Sequence, residues 1–404
     1  MIVKKLFSSV LILTLAFGAA SAQKKDAKKP EQPKGYVFTT VKANPITSIK
    51  NQSRSSTCWC FSGIAFLESE AIRKGTATQD LDLAEMFVVG HAYVDRGDKF
   101  VRLNGKLNYS PGSSFGDVIA TMETYGLVPQ SVYPGIRYGE PIHVHGELDA
   151  TTRAYVTAVS TNPNRKYSPV WKEGLSKIVE TYLGEFPEKF TVNGKEYTPQ
   201  SYAASLDLNP EDYVSITSFT HHPFYKTFAL EVPDNWRGDA NYNLPLDEMI
   251  QVIDNAIENG YTVAWAADVS EKGFTRQGIA IVADTEANER NGSDQDRWLG
   301  VTPENKAAII SGLAAPGVEK TITQEMRQHD FDAQLTTDDH GMLIFGIAKD
   351  QNGTKYYMVK NSWGETGPYK GIWYVSEPYV RFKTTNIMVN KASIPQPIQS
   401  KMGL

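Results

Sequence analysis

The chain carries only two cysteines, Cys58 and Cys60, and they stand two positions apart. A bridge between them would close a very small and strained ring, so no disulfide framework braces this fold. Its 404 residues must instead be organised by burial of apolar side chains. That length suffices for one large domain or two modest ones with a sizeable core. Two uses remain for the thiols: chemistry or burial.

Lys4 and Lys5 precede an apolar run from Leu6 to Ala20, which ends in Ala20-Ser21-Ala22. A positive end, a short apolar core and small residues at an A-x-A site describe a secretory signal peptide over residues 1–22. The run is short for a permanent bilayer span; a buried amphipathic helix is the alternative. Residues 23–43 are expected to form a flexible segment, with Lys24 to Gly35 rich in Lys, Pro and Gln. The expected location is periplasmic or secreted, with no stable membrane anchor. The net charge of −5 and the lack of a basic run interleaved with aromatics give no reason to expect nucleic acid as a partner.

Residues Ser56 to Lys74 read as a helix, with Phe61, Ile64, Ala65, Leu67, Glu68, Ala71 and Ile72 near a 3.6-residue period and Gly75 closing it. Further helices are expected over Ala84–Asp95, Phe115–Tyr125, Lys172–Leu183, Thr198–Leu206 and Leu246–Asn259, and a strand over Tyr261–Ala267. From about residue 138 to 245, long polar connections and prolines separate the helical stretches. The tail differs. Gly341–Lys349, Lys355–Lys360 and Gly371–Ser376 are apolar or aromatic runs divided by turn residues such as Gln351-Asn352-Gly353, the pattern of an antiparallel sheet. Helices first and strands later predict an α+β protein.

The stretch Asn51-Gln-Ser-Arg-Ser-Ser-Thr-Cys-Trp-Cys-Phe-Ser62 carries the most chemistry. A thiol is nucleophilic as thiolate, and a helix N-terminus lowers its pKa. Cys58 falls where the helix begins, after a Ser-Ser-Thr stretch suited to capping. Gln52 can offer its side-chain amide, beside the Cys58 backbone N–H, to a developing oxyanion. Two buried cysteines on an apolar helix would be the plainer reading of this stretch alone. An acyl-transfer site also needs a base and a group to orient it. His340 stands at the mouth of an apolar strand, and Val359-Lys-Asn-Ser-Trp-Gly364 follows it. Asn361 can hold the imidazole tautomer, and Trp363 can shield that bond from water.

Gln-x5-Cys-Trp, a strand-initial His and Asn-Ser-Trp-Gly, in that order, resemble the papain superfamily of cysteine peptidases. Ser55 stands where the superfamily signature has its first cysteine. His340 follows Cys58 by 282 residues, against roughly 130–150 in papain and cathepsins. Large insertions of this kind are similar to the bleomycin hydrolase or aminopeptidase C branch. So are Asp82-Leu-Ala-Glu-Met-Phe87, Tyr125-Gly-Leu-Val-Pro129, Val252-Ile-Asp-Asn-Ala256 and the run from Ala264 to Gly273.

The resemblance implies a papain-like two-lobed fold over residues 44–404. It has a helical N-terminal lobe, an antiparallel β-barrel-like C-terminal lobe and a helical insertion over about 138–245. It implies a cysteine peptidase, most specifically an aminopeptidase acting on peptides without cofactor or metal. Gln52 is then the oxyanion donor, Cys58 the nucleophile, His340 the base and later acid, and Asn361 the orienter. Gly112 and Ser113 fall where relatives pair backbone with substrate. The branch assembles as a hexameric ring, and its C-terminal arm limits the cleft, a role that would fall here to the Leu404 carboxylate pairing with a substrate α-ammonium; an ordinary frayed terminus is the alternative. An endopeptidase of the same chemistry and a non-catalytic papain-like binding protein are the rival readings. His143, His145, His221 and His222 lack a convincing metal-ligand set. Cys60, about 200° around the helix from Cys58, is expected in the core, with a resolving role in thiol oxidation as the alternative. Asp338 and Asp339 are either solvated loop charges or groups that raise the pKa of His340.

Overall fold

A computed structural model describes residues 35–290 and 302–404; the expected signal peptide lies outside the described residues. Helices α1 (Cys58–Lys74), α2 (Glu85–Arg102), α3 (Phe115–Tyr125), α4 (Gly146–Ser160), α5 (Trp171–Leu183) and α6 (Pro199–Ser205) occupy the first half. The second half holds α7 (Leu246–Glu258), α8 (Thr285–Arg290), α9 (Pro303–Ile310), α10 (Gln324–Asp332), α11 (Glu377–Lys383) and α12 (Gln396–Met402). The strands are β1 (Thr39–Ala43), β2 (Phe190–Val192), β3 (Lys195–Tyr197), β4 (Tyr213–Thr217), β5 (Thr227–Ala229) and β6 (Ala240–Asn243), then β7 (Val263–Ala267), β8 (Ile279–Ala280), β9 (His340–Lys349), β10 (Lys355–Lys360), β11 (Ile372–Ser376) and β12 (Thr384–Asn390).

Helix α1 ends as its sequence dictates. Arg73 and Lys74 sit in the last turn, where the macrodipole favours cations, and Gly75 takes the left-handed cap at φ 76°. The helix is buried almost all round, with Ile64, Phe66 and Leu67 wholly inaccessible. Each such side chain contributes about 1.5–3 kcal/mol, comparable to a disulfide at about 2–4 kcal/mol. Burial of one helix thus offsets the missing bridges. Helix α2 runs past the expected end at Asp95 to Arg102, because Phe100 and Val101 continue its buried face. Helix α4 was not expected; only Leu148, Thr152 and Val156 are buried along it, too narrow a stripe to stand out.

The main sheet has the order β5-β6-β4-β12-β7-β9-β10-β11-β8, and β1 adds to β9 beyond the end of β7. It is antiparallel except at β4–β6 and β8–β11. Alternate residues of its central strands face different cores. Ala264 and Leu343 belong with α1, α2 and α5, whereas Trp265 and Met342 belong with α7. Covering both faces makes these strands continuous apolar runs rather than alternating ones. The result is mixed α/β content around one large sheet.

Two expectations need correction. Residues 39–43, assigned to a flexible segment, form β1, because Thr39 and Thr40 pair with Lys349 and Ala348 and the neighbouring Phe38 stacks on Tyr374 with ring centroids 3.9 Å apart. The stretch 138–245 is not purely helical, since it also supplies β4, β5 and β6 to the main sheet. Among the described residues no helix is long and apolar enough to cross a membrane.

Candidate active site

Cys58 is the first residue of α1, and no side chain caps that end. The Cys60 and Phe61 N–H groups donate to the Thr57 carbonyl at 2.9 and 3.2 Å, so the Cys58 and Trp59 N–H groups are the ones left outside the helical ladder. Leading into it, Ser53 and Ser56 hold positive φ angles of 50° and 57°, a conformation non-glycine residues adopt at a cost. The loop is fixed from both sides. The Arg54 N–H donates to the His143 carbonyl at 2.9 Å, and the Gln52 N–H to the Ser362 carbonyl at 2.8 Å. The Ser362 hydroxyl donates to Gln52 Oε1 at 2.6 Å, leaving the amide nitrogen as the remaining hydrogen-bonding end of Gln52.

His340 opens β9, paired with Ala267 of β7. The next residue, Gly341, lies against the first turn of α1. A Cβ there would come 2.7 Å from Ser62 Oγ and 3.2 Å from the Trp59 Cα. Only glycine lets the strand carry the imidazole this close to the thiol, and Cys58, His340 and Gly341 line one cavity.

The protonation pattern of the imidazole follows from its neighbours. The Ser362 N–H, which can only donate, reaches Asn361 Oδ1 at 2.7 Å. That oxygen is therefore the acceptor, and His340 Nε2, 2.8 Å away, must donate to it. Nδ1 is left unprotonated. Trp363 stacks on the imidazole with centroids 4.8 Å apart, and Asn361 is buried, so the bond is shielded from water. Burial pulls His340 down to about 4, opposed by the Asn361 hydrogen bond.

Burial also pushes the Cys58 thiol up to about 12. Backbone N–H groups of Gly341 and Trp59 act the other way, while the carboxylates of Asp338 and Asp234 add to the rise. Asp338 thus bears on the thiol, while the His340 shift comes from burial and the Asn361 hydrogen bond. Cys60 is fully buried and its sulfur donates to the Glu85 carbonyl at 3.2 Å.

Ser113 lines the cavity, but its hydroxyl is engaged with Asp117 and accepts from Trp236 Nε1 at 2.7 Å. Gly112 is covered: its carbonyl accepts from Arg96, and a side chain there would collide with the Asp234 carboxylate. Leu404 is not among the cavity residues. The tail folds back as α12, whose Ile398 and Met402 enter the α7-side core with Met249 and Ile253. The expected extended path is replaced by a docked helix, because those two side chains gain burial on that side. Asp234 went unnoticed in the sequence, where no motif marks it; Ser362 was visible only as part of Asn-Ser-Trp-Gly. His221 and His222 converge on Glu231 at 3.1 and 2.7 Å. The Gln328 amide donates to His221 Nδ1 at 3.1 Å, which places the ring proton on the nitrogen facing Glu231.

The Peptidase C1-like family matches residues 14–294 and 319–403. Aminopeptidase C of Lactobacillus delbrueckii subsp. lactis is 22% identical over 396 residues, covering 87% of this chain and 81% of that one. Bleomycin hydrolase of Gallus gallus is 22% identical over 409 residues, covering 90% and 83%. The crystal structure of PepW from Lactobacillus rhamnosis shares the fold, with a TM-score of 0.64 and 19% identity over 90% of this chain and 84% of that one. The chain belongs to the Peptidase C1-like family, in the aminopeptidase C and bleomycin hydrolase branch of the papain superfamily.

Proposed function

We propose that the protein is a papain-like cysteine aminopeptidase whose reacting groups are Cys58, His340, Asn361 and Gln52. The single observation that carries the assignment is the fixed tautomer of His340. Its Nε2–H is spent on Asn361 at 2.8 Å, so Nδ1 is the base available in the cavity it shares with Cys58. Nδ1 takes the thiol proton as sulfur attacks the scissile carbonyl. The oxyanion is met by the Cys58 N–H and the Gln52 amide. His340 then protonates the leaving amine, and a water, deprotonated by the same nitrogen, releases the acyl group.

The two cores, one around α1–α5 and one around α7 and the sheet, are read as the helical and β-rich lobes of a papain-like cleft. Asp234 over Gly112 disfavours an endopeptidase, since it obstructs the path of a long acyl-side chain. Export directed by residues 1–22 and assembly as a homohexamer complete the reading. A mature protein that begins near Gln23 and sediments as six chains supports those two parts; one that retains Met1 or sediments as a monomer removes them.

The decisive experiment labels the enzyme with iodoacetamide and follows hydrolysis of an aminoacyl-coumarylamide. Modification confined to Cys58 should abolish turnover, as should Cys58→Ala. Undiminished hydrolysis in either case rejects the site.

A further inference from the structure

The cavity that holds Cys58 and His340 contains carboxylates from Asp234, Asp239, Asp338 and Asp339, and no Lys or Arg among its described lining residues. Three of the four are already engaged: burial raises the Asp234 carboxyl, but the Arg96 charge and a hydrogen bond with the Ser110 side chain oppose that. Asp239 accepts from the Ser114 hydroxyl at 3.2 Å and lies against Gly116, and Asp339 accepts from the Thr337 hydroxyl at 2.7 Å.

Asp338 is different. Asp338 is the residue two before the base, and its carboxyl is raised to about 7 by burial, then by the neighbouring charges of Asp234 and Asp339. Among the described residues, neither a hydrogen bond nor a cation offsets that. A half-buried carboxylate beside two others is costly unless a cation joins it.

Asp234 is presented by a rigid strap. Over residues 230–239 the chain is pinned to α2 and α3, with the Trp236 indole donating to Asp117 Oδ2 at 2.6 Å and Arg237 bonding Asp117 and, at 3.1 Å, Asp95. The Lys99 ammonium donates to the Arg237 carbonyl at 2.6 Å. The strap lays the Asp234 carboxylate against Gly112. Meanwhile the tail ending at Leu404, the other source of a carboxylate, is docked by α12 in the α7-side core.

We infer that Asp338 and Asp234 are the specificity-determining residues of this cavity, binding the α-ammonium of a peptide substrate so that its N-terminal residue is presented to Cys58. This rests on the peptidase reading above. The arrangement also couples binding to chemistry. Both carboxylates oppose thiolate formation at Cys58, and an ammonium seated between them cancels that opposition. Substrates with a free amine therefore promote ionisation of the nucleophile that attacks them.

The test compares one aminoacyl-coumarylamide with its N-acetylated form in wild type, Asp234→Asn, Asp338→Asn and the double variant. The ratio of kcat/KM for free over blocked substrate should fall by roughly 30-fold or more in the double variant, the loss expected when one partner of a buried charge pair is removed. Alkylation of Cys58 by iodoacetamide, read against pH in the absence of substrate, should shift toward lower pH in Asp338→Asn; a merely structural role would not move that profile downward. A wild type that prefers the free amine, with a double variant that alkylates normally and keeps that preference, overturns this inference alone. A wild type that alkylates at Cys58 but cleaves neither substrate overturns the peptidase reading, and this inference with it. Should Asp338→Asn fail to fold, Asp234→Asn decides by the same ratio.

Discussion

Ser362 holds Gln52 by two bonds, its carbonyl accepting the Gln52 N–H at 2.8 Å and its hydroxyl donating to Gln52 Oε1 at 2.6 Å. Since Ser362 also gives its own N–H to Asn361, one residue positions both the proposed oxyanion donor and the group that orients the base. Gln52→Ala should lower kcat by about 10²–10³-fold, the usual effect of losing such a donor. Ser362→Ala frees the amide without removing it, so a smaller loss, roughly 10-fold, is expected with little change in KM. Steady-state kinetics on a single substrate read both, and a Ser362→Ala enzyme as impaired as Gln52→Ala would contradict this division of roles.

Gly341→Ala is expected to damage stability and activity together. The added methyl would press on Ser62 Oγ and the Trp59 backbone, and overpacking of this kind costs about 1–3 kcal/mol. Relief by movement of β9 would carry His340 away from Cys58. Urea denaturation and kcat measure the two effects; a variant with normal kcat would show that the strand is free to shift without the base.

The charge on Asp338 makes a stability prediction with a definite sign. Its carboxyl titrates near 7 in the folded protein, against an ordinary value of 3.8. Between those values the native state holds a proton that the unfolded chain has released, so this group's contribution falls as pH rises through that window. Asp338→Asn should therefore melt higher than wild type at pH 8 and close to it near pH 4. A gain in stability bought with a loss of free-amine selectivity is the pattern expected of a residue kept for ligand binding. Equal melting at both pH values would remove the raised carboxyl from the argument.

Deleting Lys401 to Leu404 tests the tail. Met402 is buried and Lys401 pairs with Glu248 at 2.6 Å, so stability should drop by about 2 kcal/mol. Preference for a free N-terminus should remain. If thermal stability holds but the preference vanishes, the C-terminal carboxylate reaches the cavity after all.

Much of this was legible in the sequence, for physical reasons that differ by element. Phe115–Tyr125 was delimited by its period and Gly126, and Leu246–Asn259, one residue longer than the helix observed, by an apolar stripe facing one core. Cys58, His340 and Asn361 could be read because each sits at the start or end of a strongly patterned element. Strand β12 escaped notice because Thr384-Thr-Asn-Ile-Met-Val-Asn390 is buried on both faces and shows no alternation. Asp234 escaped for a different reason. Its role depends on Trp236 and Arg237 finding Asp117, more than a hundred residues earlier in the chain, and no local pattern encodes that meeting. The tail misled because Pro395 and Pro397 suggested an extended path, while Ile398 and Met402 were free to fold back as a helix.

The sheet also dictates when activity can begin. Strand β1 near the start of the described chain pairs with β9, and β12, the last strand, inserts between β4 and β7 at the middle of the order. Contacts so distant along the chain form late and slowly. A ribosome-bound or half-folded copy carries Cys58 on its early helix, but neither His340 nor Asn361 is yet in register. Synthesis must pass Asn361 before thiol, base and orienting amide can all be present, so an unfinished copy lacks the complete site.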